Sequence, residues 1–115
     1  MKVSRIEDMV GGWFVGAFIP TAYPTEACEV SYKVHPKGRR WGWHYHRVVT
    51  EINLLVRGKM RLQGRELNAG DIFTLVPYEV ADPVFLEDCE IVCVKMPSAG
   101  NDKVEYEVKQ RREGS

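Results

Sequence analysis

The sequence predicts an all-β protein, an antiparallel sandwich or barrel, and three observations predict it. Short runs rich in β-branched and aromatic residues follow one another along the chain. Several of these runs alternate apolar and polar side chains with a period of two. Turn residues interrupt them every 6–12 positions, and no segment before the tail at Asn101 sustains a helical period.

Taken in order, residues 1–9 read as a short helix or an irregular lead-in. Residues 13–19, Trp-Phe-Val-Gly-Ala-Phe-Ile, form a strand whose two-sided apolarity suits burial on both faces or against a second copy of the chain. Two prolines make 20–25 a loop. Residues 28–35 alternate cleanly, with Cys28, Val30, Tyr32 and Val34 on one face and Glu29, Ser31, Lys33 and His35 on the other. That is a half-buried strand, and His35, on the polar face before Pro36, reads as an exposed strand-end histidine. After the turn at 36–38, residues 41–49 are expected as a strand. Trp41, Trp43 and Tyr45 then face the exterior or an interface, opposite Gly42, His44 and His46.

Further strands are expected at 51–56, 59–63, 72–76 and 91–96. Gln63-Gly64 makes a tight hairpin, Asn68 to Asp71 another turn, and Pro77, Pro83 and Glu87-Asp88 punctuate the rest. There is no internal repeat or linker, so residues 1–115 are expected as one domain, with 101–115 a charged extension frayed at its end.

Composition excludes several function classes. The chain has 115 residues, enough for one core, with 44% hydrophobic and 28% charged side chains. Lys+Arg and Asp+Glu number 16 each, which argues for neither nucleic acid nor membrane as a partner. Lys37, Arg39, Arg40 and Arg47 are the one basic concentration, a solvated loop or a device steering an anionic ligand. Three cysteines, Cys28, Cys89 and Cys93, have neither disulfide-framework nor zinc-ribbon spacing. Residues 1–20 lack the basic head and apolar run of a signal peptide, so a cytoplasmic location is expected. No nucleophile constellation or phosphate-cradling glycine loop is present.

The chemistry concentrates at His44-Tyr45-His46. Histidines one residue apart on a strand share a face, and Glu51, beyond a short turn on the next strand, can return beside them. Two imidazoles and a carboxylate suit a divalent first-row metal with open positions. Asn53 and Arg57 share the alternation of Glu51. Asn53 either orients a ligand or satisfies a neighbouring backbone group; Arg57 is either an anion anchor or a solvent-facing turn residue.

With its bracketing glycines the arrangement is Gly38-x5-His44-x-His46-x4-Glu51-x6-Gly58, which resembles the first signature motif of the cupin superfamily. The second motif departs from that pattern. Gly70 and Pro77 are in place, but Glu79 stands where a glycine belongs and Asp82 where the fourth ligand, a histidine, belongs. Asp82 is thus a substitute ligand or, before Pro83, a turn-capping residue. The resemblance spans about residues 28–96 and implies a double-stranded β-helix (jelly-roll) barrel, a homodimer and a metal inside the barrel mouth.

It implies one divalent transition metal (Fe, Mn, Ni or Zn) held by His44, His46, Glu51 and Asp82, with open positions for a small polar ligand. Two readings follow: a metal-dependent enzyme of oxygenase or isomerase/epimerase type acting on a small metabolite, or a non-catalytic barrel binding or sensing a sugar or organic acid.

Overall fold

In the computed structural model, which describes residues 1–100 and 102–105, the alternating runs become strands and the glycine turns join them. The strands are β1 (Trp13–Val15), β2 (Glu29–His35), β3 (His44–His46), β4 (Thr50–Arg57), β5 (Lys59–Leu62), β6 (Arg65–Asn68), β7 (Ile72–Leu75), β8 (Val84–Phe85), β9 (Cys89–Met96) and β10 (Lys103–Glu105). The lead-in is two single 3-10 turns, Ile6–Asp8 and Val10–Gly12. The frayed end expected of the tail lies outside the described residues, whereas its start is ordered as β10.

The strands pair antiparallel into a five-stranded sheet, β1-β2-β9-β4-β7, a three-stranded sheet, β6-β5-β8, and the pair β10-β3. Gln63 and Gly64 both take positive φ, 52° and 73°, the signature of a two-residue turn between β5 and β6. Gly58, at φ 99°, lets the chain pass between β4 and β5 where a Cβ would stand 2.3 Å from the Asp88 carbonyl oxygen.

Register across the large sheet decides what meets inside the barrel. Glu29, Lys95, Glu51 and Leu75 form one inward row; Ser31, Cys93, Asn53 and Phe73 form the next; Lys33, Ile91 and Leu55 form a third. Leu55, Met60, Leu62, Leu75, Phe85 and Ile91 pack into the apolar floor.

Two expectations are corrected here. On β2 the polar face turns inward: Glu29 and Ser31 are buried, while Val34 is 59% exposed. Of these groups Glu29 is satisfied, its Oε2 accepting from Ser98 Oγ at 2.8 Å, and Lys33 lies over the Trp13 ring, whereas Ser31 Oγ has no hydrogen-bond partner. His35 accordingly is no exposed strand end; it stacks on Phe85 at 4.3 Å and its Nδ1 accepts from Trp41 Nε1 at 3.4 Å. The expected strand 41–49 is only three residues long, since isolated bridges Arg40 to Val84 and His44 to Ala81 replace a continuous ladder. Trp41 therefore turns into the barrel rather than outward.

Candidate functional site

A cavity of about 130 Å³ opens inside the barrel above the apolar floor, and His44, His46, Glu51 and Asn53 all line it. Strand β3 presents both histidines because Tyr45 between them faces away and stacks on Tyr78 at 5.7 Å. Hydrogen bonds between His44 and Ala81 on one side, and β10 on the other, hold β3 in place. Strand β4 supplies Glu51 and Asn53 from alternate positions.

His46 Nε2 lies 3.1 Å from Glu51 Oε2, and the Asn53 amide donates to Glu51 Oε1 at 3.2 Å. Burial alone would raise the Glu51 carboxyl, but the His46 hydrogen bond, the Lys95 ammonium opposite and the Asn53 amide outweigh it and hold it at about 2. Glu51 is therefore an ionised acceptor and cation partner, poorly matched to accept protons at neutral pH. The His44 imidazole is pushed down by burial, and its Nδ1 lies 3.1 Å from the Gly42 carbonyl. His46 Nδ1 is buried without a hydrogen-bond partner and faces Asp102 Oδ2 at 3.7 Å. Cys93, beside Asn53, has its thiol pushed up to about 12, by burial first and then by Glu51, so it stays protonated.

Two expected site residues stand elsewhere. Asp82 does not line the cavity: its Oδ1 accepts from Gln63 N at 2.9 Å and caps the β5–β6 turn, leaving Ala81 on the inner wall. Arg57 is turned out by a register irregularity between Leu55 and Arg57 on β4, and pairs with Glu90 at 3.2 Å on the outside.

Other cavity residues carry no motif. Lys33, Lys95 and Lys103 come from β2, β9 and β10 and line the mouth with Trp13 and Trp41. Lys33 and Lys95 lie 4.8 and 4.6 Å from the Trp13 ring centre, and Lys103 lies 5.2 Å from that of Trp41. The cationic rim is thus built from separate strands, whereas none of the expected basic loop lines the cavity, its Arg39 lying 4.7 Å from the Trp41 ring centre. The one available signal was the polar face of β2.

The donors suit a divalent ion in chemistry and in how the imidazoles are held. His44 has its other ring nitrogen on a backbone carbonyl, the usual support of a metal-bound imidazole, while His46 Nδ1 faces a carboxylate at 3.7 Å without a hydrogen bond. His46 Nε2 and Glu51 Oε2 are spaced as neighbouring ligands of one ion. The site departs from a complete centre in spacing, since among the described residues no three His, Cys, Asp or Glu side chains converge closely enough to hold an ion.

No protein-family model matches this sequence, and no curated protein matches it. Solved structures do match in fold. A Klebsiella pneumoniae uncharacterized conserved protein with a double-stranded β-helix domain is 22% identical, covering 72% of this chain and 73% of its own, with TM-score 0.64. A Bacteroides fragilis cupin protein is 24% identical over 74% and 75% of the two chains, with TM-score 0.55. The DMSP lyase DddQ of Ruegeria pomeroyi is 14% identical over 81% of this chain and 49% of its own, with TM-score 0.65. The chain is an all-β jelly roll, a double-stranded β-helix, with cupins as its structural neighbours. Enzymes are among those neighbours. Among the described residues no helix is long and apolar enough to cross a membrane.

Proposed function

We propose that the chain is a small cupin enzyme acting on a small polar metabolite inside the barrel, with one divalent transition metal that would be held by His46 and Glu51, already at ligand spacing, and by His44 once it is drawn in beside them. The observation that carries this reading is the His46 Nε2–Glu51 Oε2 pair, 3.1 Å apart on the cavity wall. Such an ion, Fe, Mn, Ni or Zn, supplies Lewis acidity toward a substrate oxygen, in isomerase/epimerase or oxygenase chemistry.

The chain's own residues prepare the site. Glu51 keeps a negative charge between His46 and Lys95, and Asn53 fixes its second oxygen while presenting an amide to the cavity. Gly42 fixes the His44 ring, and Trp41, Phe73 and Phe85 exclude water from the inner wall.

Elemental analysis of protein purified without chelator or nickel resin tests the reading. It expects about one equivalent of metal per chain, lost in His46→Ala with the circular dichroism spectrum unchanged. Metal retained by that variant removes the ligand assignment.

A second reading, a barrel that binds a small ligand without catalysis, is favoured by the commitment of Asp82 to Gln63. It expects no metal uptake when each ion is added to the apo-protein. A homodimer belongs to either reading; its support is that β1 is an edge strand and that Val34, Leu54 and Ile72 are exposed on the outer sheet face. Sedimentation at twice 13.2 kDa checks it.

A further inference from the structure

We infer that the corner of the cavity formed by Ser31, Lys33 and Lys95, walled by Trp13, is a carboxylate subsite, so that the ligand of this barrel is a small organic acid. This rests on the reading of the cavity as the ligand site, though not on the presence of a metal.

Four observations meet there. Ser31 is 0% exposed and its Oγ has no hydrogen-bond partner, yet it lines the cavity. A buried hydroxyl left without a partner is costly, and one aimed into a cavity is a donor awaiting an acceptor. Lys33 and Lys95 flank it: Ser31 pairs with Cys93, and the two lysines stand in the inward rows on either side of that pair. Both ammonium groups approach the same indole, Trp13, which is itself the register partner of Ser31 on β1.

Like charges are thus gathered beside two carboxylates of the Lys95 row, Glu51 and the Ser98-bonded Glu29, without a closed ion pair to either. Among the described residues neither lysine makes an ion pair within 4.0 Å, and three lysines line the cavity against one carboxylate, Glu51. Burial and the neighbouring Lys95 both push the Lys33 ammonium down, a penalty that a bound anion reverses. A carboxylate has two oxygens to share between flanking ammonium groups and a hydroxyl. The cavity lining holds no arginine and no glycine loop of the phosphate-cradling kind. A volume of about 130 Å³ takes several heavy atoms, more than one water and less than a large cofactor. An acid seated at Ser31 extends its other end along the row step toward Asn53 and Glu51.

The test is a fluorescence titration, since Trp13 and Trp41 line the cavity. The probes are malonate and glycolate, each against its neutral amide, with inorganic phosphate as a further arm. The neutral chelator 1,10-phenanthroline is present, so that a metal cannot bind the acid. We expect saturable binding of at least one acid, about tenfold or more tighter than its amide and weakening as salt rises. Lys33→Met and Lys95→Met each weaken it by about tenfold or more, Ser31→Ala by about threefold to tenfold, and Lys33→Arg restores most of it.

The subsite is overturned if acid and amide bind alike, if none of the probes binds, if phosphate is preferred to both acids, or if the lysine variants bind as the wild type does. Should the methionine variants not fold, Lys33→Gln and the salt dependence of the wild type give the same decision. Acid binding that persists in chelator while the metal measurement fails supports the subsite and removes only the metal centre.

Discussion

His46 Nδ1 faces Asp102 Oδ2 at 3.7 Å, and the same carboxylate accepts from Val48 N and Val49 N, each at 2.9 Å. Asp102 thereby caps the turn that leads from β3 to β4 while closing the back of a site histidine. Burial would raise its carboxyl, but these backbone N–H groups and His46 hold it low. Asp102→Ala strands the buried Val49 N–H and is expected to cost about 1–3 kcal/mol in urea denaturation. Asp102→Asn keeps an acceptor and costs less. If a metal is held, Asp102→Ala weakens its affinity by about tenfold to a hundredfold, measured by competition with a chromogenic chelator.

The two glycines that bracket the first motif are needed for different reasons. At Gly58 an added Cβ would meet Asp88 O at 2.3 Å and Cys89 Sγ at 2.8 Å, whereas at Gly38, φ 82°, it meets nothing within 4 Å. Gly58→Ala is expected to cost about 3 kcal/mol or more, and Gly38→Ala about 1 kcal/mol from its backbone angle alone. Equal losses in a denaturant titration contradict this assignment.

Stability should fall on the acid side through His35. Its imidazole is brought from 6.5 to about 4, first by burial and then by Lys33 and Arg39. A depressed histidine is neutral when folded and protonates first in the unfolded chain. Its contribution is therefore complete above pH 6.5 and is lost as pH falls toward about 4. Melting temperatures of the wild type should drop across that window, and those of His35→Gln should drop less. Parallel curves for the two proteins contradict the prediction.

Asp82→Ala separates turn capping from ligation. Loss of the Gln63 N–H bond, 2.9 Å in the structure, is expected to lower stability by about 1 kcal/mol. Metal content measured beside the wild type stays the same. A variant that loses metal instead returns Asp82 to the ligand set.

The all-β class was legible because alternation and turn chemistry are local, and the grouping of His44, His46, Glu51 and Asn53 because spacing on strands fixes their faces. What alternation does not say is which face is the interior. On β2 the valines made the apolar face look like the core, while register with β9 gave the inside to Ser31 and Lys33. Lys95, Lys103 and Asp102 are distant in sequence from the motif and reach the cavity or its back wall only through pairing. Arg57 was lost to a single register irregularity, which reverses a side chain without leaving a mark in the sequence.

The pairing of β10 with β3, Lys103 opposite His46 and Glu105 opposite His44, also makes the histidine strand depend on a segment outside the large sheet. Residues 13–96 contain every strand of the large sheet, so that sheet can form while the histidine strand still lacks one neighbour. Residues 102–105 alone flank β3 on that side and set Asp102 behind His46. A chain shortened before Asp102 is expected to keep every strand of the large sheet while leaving β3 without one neighbour and His46 without the carboxylate behind it.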